Sequence, residues 1–181
     1  MSGARLVKGF LVPALILTLS LFQMGAFRPV SALPFNVNIT GFAYSPPTLT
    51  VHSGDTVIWK NSDPLIYELY FVKASDGSPF ALSPFLIPGD TYSLTFPSCG
   101  TFDYISLQPF VVSGTVKVLI QGDVNGDGFV NFIDLGRVGA AFLTGIGNPA
   151  YDPEADLNND GAINFLDLGL VGANFLKVCT P

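Results

Sequence analysis

The chain is 181 residues long, with 49% hydrophobic and 12% charged residues, which suits one ordinary domain or two small ones and excludes a disordered chain. Fourteen acids against eight bases give a formal net charge of −6. A surface of that sign cannot displace counterions from a nucleic acid, and it suits divalent cations instead.

Residues 1–8 carry Arg5 and Lys8 and no acid, Gly9–Phe22 is an uninterrupted apolar run, and Val30-Ser31-Ala32 supplies small residues. That order reads as a secretory signal peptide over residues 1–32, cleaved after Ala32. Gln23 ends the run short of the roughly 20 apolar residues a bilayer span needs, so membrane contact is expected only through this segment if it stays uncleaved. Removing Arg5, Lys8 and Arg28 leaves 5 − 14 = −9 charges on a mature chain expected to be extracellular, free or at a cell surface. Cys99 and Cys179 both stay in that chain, where disulfides persist; they either bridge the first module to the C-terminus or remain two free thiols.

Residues 33–121 are rich in Val, Ile, Thr, Tyr and Phe in short alternating runs. Strands are predicted over Phe35–Tyr44, Thr48–His52, Thr56–Asn61, Ile66–Val72, Thr91–Phe96, Gly100–Ile105 and Gly114–Ile120. Pro46-Pro47, Ser53-Gly54-Asp55, Ser75-Asp76-Gly77 and Pro88-Gly89-Asp90 supply the breaks. Seven or so such strands predict a two-sheet sandwich. The runs PPTLTVHSGDTVIWKNSD (46–63), LIPGDTYSLTF (86–96) and CGTFDYISLQPFVVSGTVKVLI (99–120) together resemble a cupredoxin of the plastocyanin and azurin type.

The resemblance implies a Greek-key sandwich, and in the family it comes with a blue-copper site of two His nitrogens, a Cys thiolate and a weak axial Met. Where the family places its first His, after Trp59–Asp63, this chain has Leu65, Ile66 and Tyr67. Where it places the other three, the loop Ile105–Val112 has none of them. The mature chain holds one histidine, His52, expected as a solvated surface side chain, and no methionine. Copper is therefore not expected, and electron transfer through an atypical copper site is the rival reading. Catalysis is not expected either: no Gly-x-Ser-x-Gly elbow occurs, and Glu68 and Glu154 are the only glutamates.

The tail holds an internal repeat. Residues 123–143 read DVNGDGFVNFIDLGRVGAAFL and residues 156–176 read DLNNDGAINFLDLGLVGANFL, offset by 156 − 123 = 33 and identical at roughly two-thirds of positions. Each copy opens with Asp-x-Asn-x-Asp-Gly. Calcium takes six to eight oxygens, and a 12-residue loop wraps it with alternate side chains. In the first loop the donors are Asp123, Asn125, Asp127, the Phe129 carbonyl, Asn131 (directly or through water) and Asp134. In the second they are Asp156, Asn158, Asp160, the Ala162 carbonyl, Asn164 and Asp167. Gly128 and Gly161 permit the sharp turn, while Val130 and Ile163 point away and are expected to pack the loops back to back. Helices follow with one apolar face each: Leu135, Val138 and Phe142, then Leu168, Val171 and Phe175.

No helix is predicted before the first loop, so each unit is a half EF-hand, with Asp rather than Glu in the bridging position. These duplicated units, over residues 122–176, resemble the type I dockerin family. The resemblance implies two Ca2+ ions, calcium-dependent folding and docking onto a cohesin-like protein module, often in polysaccharide-degrading assemblies. The residues before each bridging Asp, Phe132-Ile133 and Phe165-Leu166, are apolar here. They either face a partner of different character or lie under the chain's own first module. The fold class expected is thus mainly β with a small α module, a cupredoxin-like Greek-key β-sandwich plus a dockerin-like pair of loop-helix motifs over residues 122–181. The function expected is non-catalytic binding or assembly, with purely structural calcium as the other alternative.

Overall fold

The computed structural model describes residues 35–108 and 110–180, so the predicted leader over residues 1–32 lies outside them. Nine strands and two helices follow in chain order: β1 Phe35–Thr40, β2 Ala43–Ser45, β3 Thr48–His52, β4 Thr56–Asn61, β5 Tyr70–Lys73, β6 Pro79–Leu82, β7 Thr91–Thr95, β8 Gly100–Ser106, β9 Val112–Leu119, α1 Phe132–Ala140 and α2 Phe165–Ala173. The strands form two facing sheets, ordered β2-β1-β4-β7 and β3-β9-β8-β5-β6. Pairing is mixed: β1 runs parallel to β4 and β3 parallel to β9, while the other pairs are antiparallel. Among the described residues no helix is long and apolar enough to cross a membrane.

Strict alternation drives the sandwich. In β4, Val57, Trp59 and Asn61 point inward, and in β8 Phe102, Tyr104 and Ser106 do. Trp59 sits between the sheets, its ring 4.9 Å from Phe71 and 5.4 Å from Tyr104 in edge-on contacts. Such edge-to-face geometry satisfies the ring quadrupoles and adds to the burial term. Gly114, across from Tyr104 in the β8–β9 register, has no room for a side chain, because an added Cβ would overlap the Tyr104 ring.

Two differences from the strand reading have local causes. The predicted strand Phe35–Tyr44 is broken into β1 and β2 because Gly41 and Phe42 both take positive φ. The Asp63 carboxylate holds that turn, accepting from Gly41 N at 2.7 Å and Phe42 N at 3.0 Å. It also accepts from Tyr67 Oη at 2.8 Å. Tyr67 is consequently buried and makes only a single bridge to Leu86, so regular pairing starts at Tyr70 rather than Ile66. The strand β6 has no counterpart in the sequence reading. His52 also differs: it is 8% exposed, not solvated, because the chain leaving β9 bonds across it at Ser53, which donates to Leu119 O and accepts from Gln121 N.

The apolar interior falls into two clusters, one centred on Trp59 and one on Val130, Val138, Ile163 and Val171. Only Ile120 to Gly122 separate β9 from the first loop, and Gly122 has φ +101° where a Cβ would press on the α2 backbone at Val171 and Leu170. At the other end, Cys99 and Cys179 are bridged, with Cα atoms 5.9 Å apart across a separation of 80 residues. The tail is thus tied to the sandwich at both of its ends.

Two stability outcomes follow from these contacts. Gly114→Ala should destabilise the protein by about 1–3 kcal/mol, since the ring it meets is locked in a packed core. Replacing both cysteines by serine should cost about 2–5 kcal/mol through the long loop the bridge closes. Urea unfolding of the calcium-loaded protein measures both, and an unmoved midpoint in either variant would refute the corresponding account.

Candidate functional site

Each repeat loop is folded around its own carboxylates. In the first, Asp123 Oδ1 accepts from Gly126 N at 2.8 Å and Asp127 N at 3.2 Å, and Oδ2 accepts from Gly128 N at 3.0 Å. Asp134, at the third position of α1, reaches back: Oδ1 accepts from Val124 N and Asn125 N, and Oδ2 from Asn131 N. The second loop repeats this, with Asp167 accepting from Leu157 N, Asn158 N and Asn164 N. Asn131 and Asn164 cap the two helices, their side chains accepting from Ile133 N and Leu166 N. Gly128 and Gly161 both take φ +88°, the turn predicted for them.

Asp123, Asp134 and Asp167 are fully buried and Asp156 nearly so. Burial, with Asp134 and Asp127 close by, pushes the Asp123 carboxyl above its ordinary range against the pull of the loop amides. Burial, joined by the charge of Asp156, does the same to Asp167. Like charges are being gathered in a small, dry volume, which is the setting a divalent cation relieves. Asn125 and Asp127, like Asn158 and Asp160, are drawn together across the loop mouth by amide–carboxylate bonds of 2.9 and 2.8 Å. The side chains at the positions predicted to hold a metal in each loop are all carboxylates and amides. That chemistry fits a hard cation such as calcium. Among the described residues no three His, Cys, Asp or Glu side chains stand in metal-holding proximity.

Two residues outside the loops were not legible beforehand. Tyr151 Oη donates to Asp156 Oδ2 at 2.7 Å, and burial together with that bond raises the tyrosine well above its usual range. Nothing in the repeat marks it, because the aligned position in the first copy is Val118. Arg137 is the other: it pairs with Asp152 at 2.6 Å and donates to Val124 O, tying the inter-repeat segment to α1.

The two copies close on each other. Val130 N donates to Lys177 O and Leu176 N to Val130 O; in the other half Ile163 N donates to Thr144 O and Leu143 N to Ile163 O. Val130 and Ile163 are both buried in one cluster, as predicted. Their backbones, however, bond not to one another but to the exit of the opposite helix. The rings obey the same exchange: Phe132 meets Phe175 and Phe165 meets Phe142, each pair 4.9 Å apart and edge-on. Phe132, Ile133 and Leu176 stay exposed on one side, and Phe165, Leu166 and Leu143 on the other. The sandwich covers neither group.

At the cupredoxin-like end the residues present do not fit copper. Tyr67 is buried with its hydroxyl on Asp63, Ile66 faces solvent, and the loop after β8 offers Leu107 and Gln108. None of these supplies an imidazole, thiolate or thioether.

Comparison with known proteins divides the chain the same way. The family model for the dockerin type I domain matches residues 121–176. Amicyanin of Paracoccus denitrificans is 37% identical over 68 residues, which is 38% of this chain and 52% of that protein. The chain thus spans about half the length of that curated relative. Amicyanin-alpha of Methylorubrum extorquens is 28% identical over 97 residues, 52% of this chain and 82% of the relative. Among solved structures, a Cu(I) form of an amicyanin variant is 33% identical, with TM-score 0.42 over 47% of this chain and 81% of that one. The Cu-containing nitrite reductase (NirK) from Thermus scotoductus SA-01 gives TM-score 0.43 at 25% identity over 48% of this chain and 22% of that chain. The chain is thus similar to a type I dockerin domain over residues 121–176 and to the amicyanins over its sandwich, whose described residues do not fit copper.

Proposed function

We propose that this is a secreted, non-catalytic binding and assembly protein, with a leader over residues 1–32, a sandwich over 33–121 and a calcium-loaded docking module over 122–181. The observation that carries the reading is the pair of matching apolar faces on the repeat module. Each presents two neighbouring residues at the start of one helix, Phe132-Ile133 or Phe165-Leu166, with the exposed leucine that follows the other helix, Leu176 or Leu143. Monomeric proteins seldom leave so many large apolar side chains in water without a partner to cover them.

Dockerin type I domains bind calcium and engage cohesin modules, and the oxygen-lined loops supply the reason for the metal. In this reading one ion sits in each loop, held by Asp123, Asn125, Asp127, Phe129 O, Asn131 and Asp134, and by Asp156, Asn158, Asp160, Ala162 O, Asn164 and Asp167. The ion offsets the buried carboxylate charge and so fixes the helix starts, on which the apolar faces stand. A partner for those faces is a cohesin-like module with an apolar surface, in an extracellular or cell-surface assembly such as one that degrades polysaccharides.

Asp134→Ala removes the acceptor of three loop amides and one prospective ligand. It should lower bound calcium from two ions per chain to one in elemental analysis, and unchanged stoichiometry would remove Asp134 from the ligand set. Docking is measured by capture on immobilised cohesin modules with calcium and with excess chelator. Capture should require calcium. Because the faces are equivalent, Phe132→Ala with Ile133→Ala should leave much of it, whereas adding Phe165→Ala and Leu166→Ala should lower affinity at least about tenfold. Capture that survives both chelator and the fourfold variant would end the docking reading.

A further inference from the structure

The end of the sandwich away from the repeat module carries a cleft of about 480 Å³ lined by Ile66, Glu68, Tyr70, Phe85, Leu107 and Gln108. Its distance from that module follows from the strands. β8 enters at Gly100, next to bridged Cys99, and leaves at Ser106, next to Leu107. A seven-residue strand spans roughly 20 Å, so the bridge and the cleft occupy opposite ends of the sandwich. The cleft lies among the β4–β5, β6–β7 and β8–β9 loops, at the end whose side chains do not fit copper.

The lining combines two kinds of group. Phe85 is 66% exposed, and Ile66, Leu107 and Tyr70 stand in water beside it. None of these is needed by the core, which has its own aromatic cluster around Trp59. Against them are a carboxylate and an amide. Tyr70 Oη donates to Glu68 Oε2 at 2.6 Å, which ties the phenol and the carboxylate together as one surface. That bond also holds the Tyr70 hydroxyl above its ordinary range. The Gln108 backbone is fixed in turn, its carbonyl accepting from Ser106 Oγ at 2.7 Å.

These groups narrow the ligand. With no Lys, Arg or His in the lining, a phosphate or carboxylate ligand finds no cation to pair with. A purely aliphatic ligand would strip water from Glu68 without replacing it. A quaternary ammonium would use the rings and Glu68 but would leave the Gln108 amide, both donor and acceptor, without a role. A pyranose ring uses every group: its C–H face lies on an aromatic ring, and its hydroxyls donate to Glu68 and exchange hydrogen bonds with Gln108. The volume suits a ligand of that order.

We propose that this cleft is a binding site for a neutral saccharide, taking one or two sugar rings of a longer chain. The site is independent of the calcium loops and of docking, which occupy the other end of the molecule. Its test is calorimetric titration of the calcium-loaded full chain with cellohexaose, xylohexaose, mannohexaose, N-acetylchitohexaose and, separately, tetramethylammonium chloride. At least one hexasaccharide should bind saturably at millimolar concentration or below. Phe85→Ala should weaken that binding about tenfold and Glu68→Gln about threefold. Both variants should keep the parent melting temperature and cohesin capture, since both side chains lie outside the core and far from the docking faces. Binding of none of the four sugars, or equal binding by Phe85→Ala, would overturn the proposal. Binding of tetramethylammonium alone, lost in Glu68→Gln, would overturn it in favour of a cationic ligand.

Discussion

Asp134 and Asp167 bond to the first amides of the loop preceding their own helix, so each loop and helix is bound into one unit by a carboxylate that is itself buried. Everything else in the repeat module is arranged around that constraint. A nine-residue helix is too short to persist alone, and neither unit has an entering helix to lean on. Closure comes from the other copy. The residues leaving α2 pair with the first loop and those leaving α1 pair with the second, so each half completes the ladder and the ring contact its counterpart lacks. The cost is electrostatic, because sinking acidic side chains side by side raises Asp123 and Asp167 against their nature. A bound divalent cation converts that liability into the force that holds the loops shut.

The disulfide is continuous with this exchange. Ile146 N donates to Gly161 O, and Ile146 packs over that glycine; 33 residues later Cys179 N donates to Gly128 O and its Cβ stands over Gly128. Cys179 thus occupies the place of Ile146 in the second copy, and the structural repeat runs three residues past the point where the identities stop at Leu176. The position that one copy fills with an exposed isoleucine is used by the other to bond to the sandwich through Cys99. With Gly122 pressed against α2 at the opposite end, the first loop lies between two fixed points.

What could be read in advance was what a fixed spacing of chemical groups encodes. The two helices with one buried face each and the sandwich strands of regular alternation stand where predicted, most of the strands within a residue or two of their ends. What could not be read depended on partners distant in the chain. The Gly41–Phe42 turn is set by Asp63, twenty-odd residues on, and the same carboxylate draws in Tyr67 and delays β5. The strand β6 opens with a proline and carries no clear alternation, and it exists because β5 offers it an edge. His52 looked solvated because the sequence says nothing of the chain returning over it from β9. Tyr151 lies between the copies, where no repeat could call attention to it.

The placement of the two ends gives the architecture its sense. β8 and β9 connect them directly: their cleft-side ends are Ser106 and Val112, and their other ends lead to Cys99 and to the first repeat loop. Modules joined by a flexible linker dock while their companions wander; here the junction is three residues, a disulfide and a shared apolar cluster that includes Cys99 from the sandwich side. A partner seated on the helix faces would therefore hold the sandwich in one orientation, with the cleft at the far end of the strands still open to solvent. The side chains at that end, which do not fit copper, are consistent with that arrangement. An end not organised around a metal is free to carry exposed aromatic and polar side chains, and in the reading proposed above the sandwich would be a rigid spacer between a surface that attaches and a surface that presents.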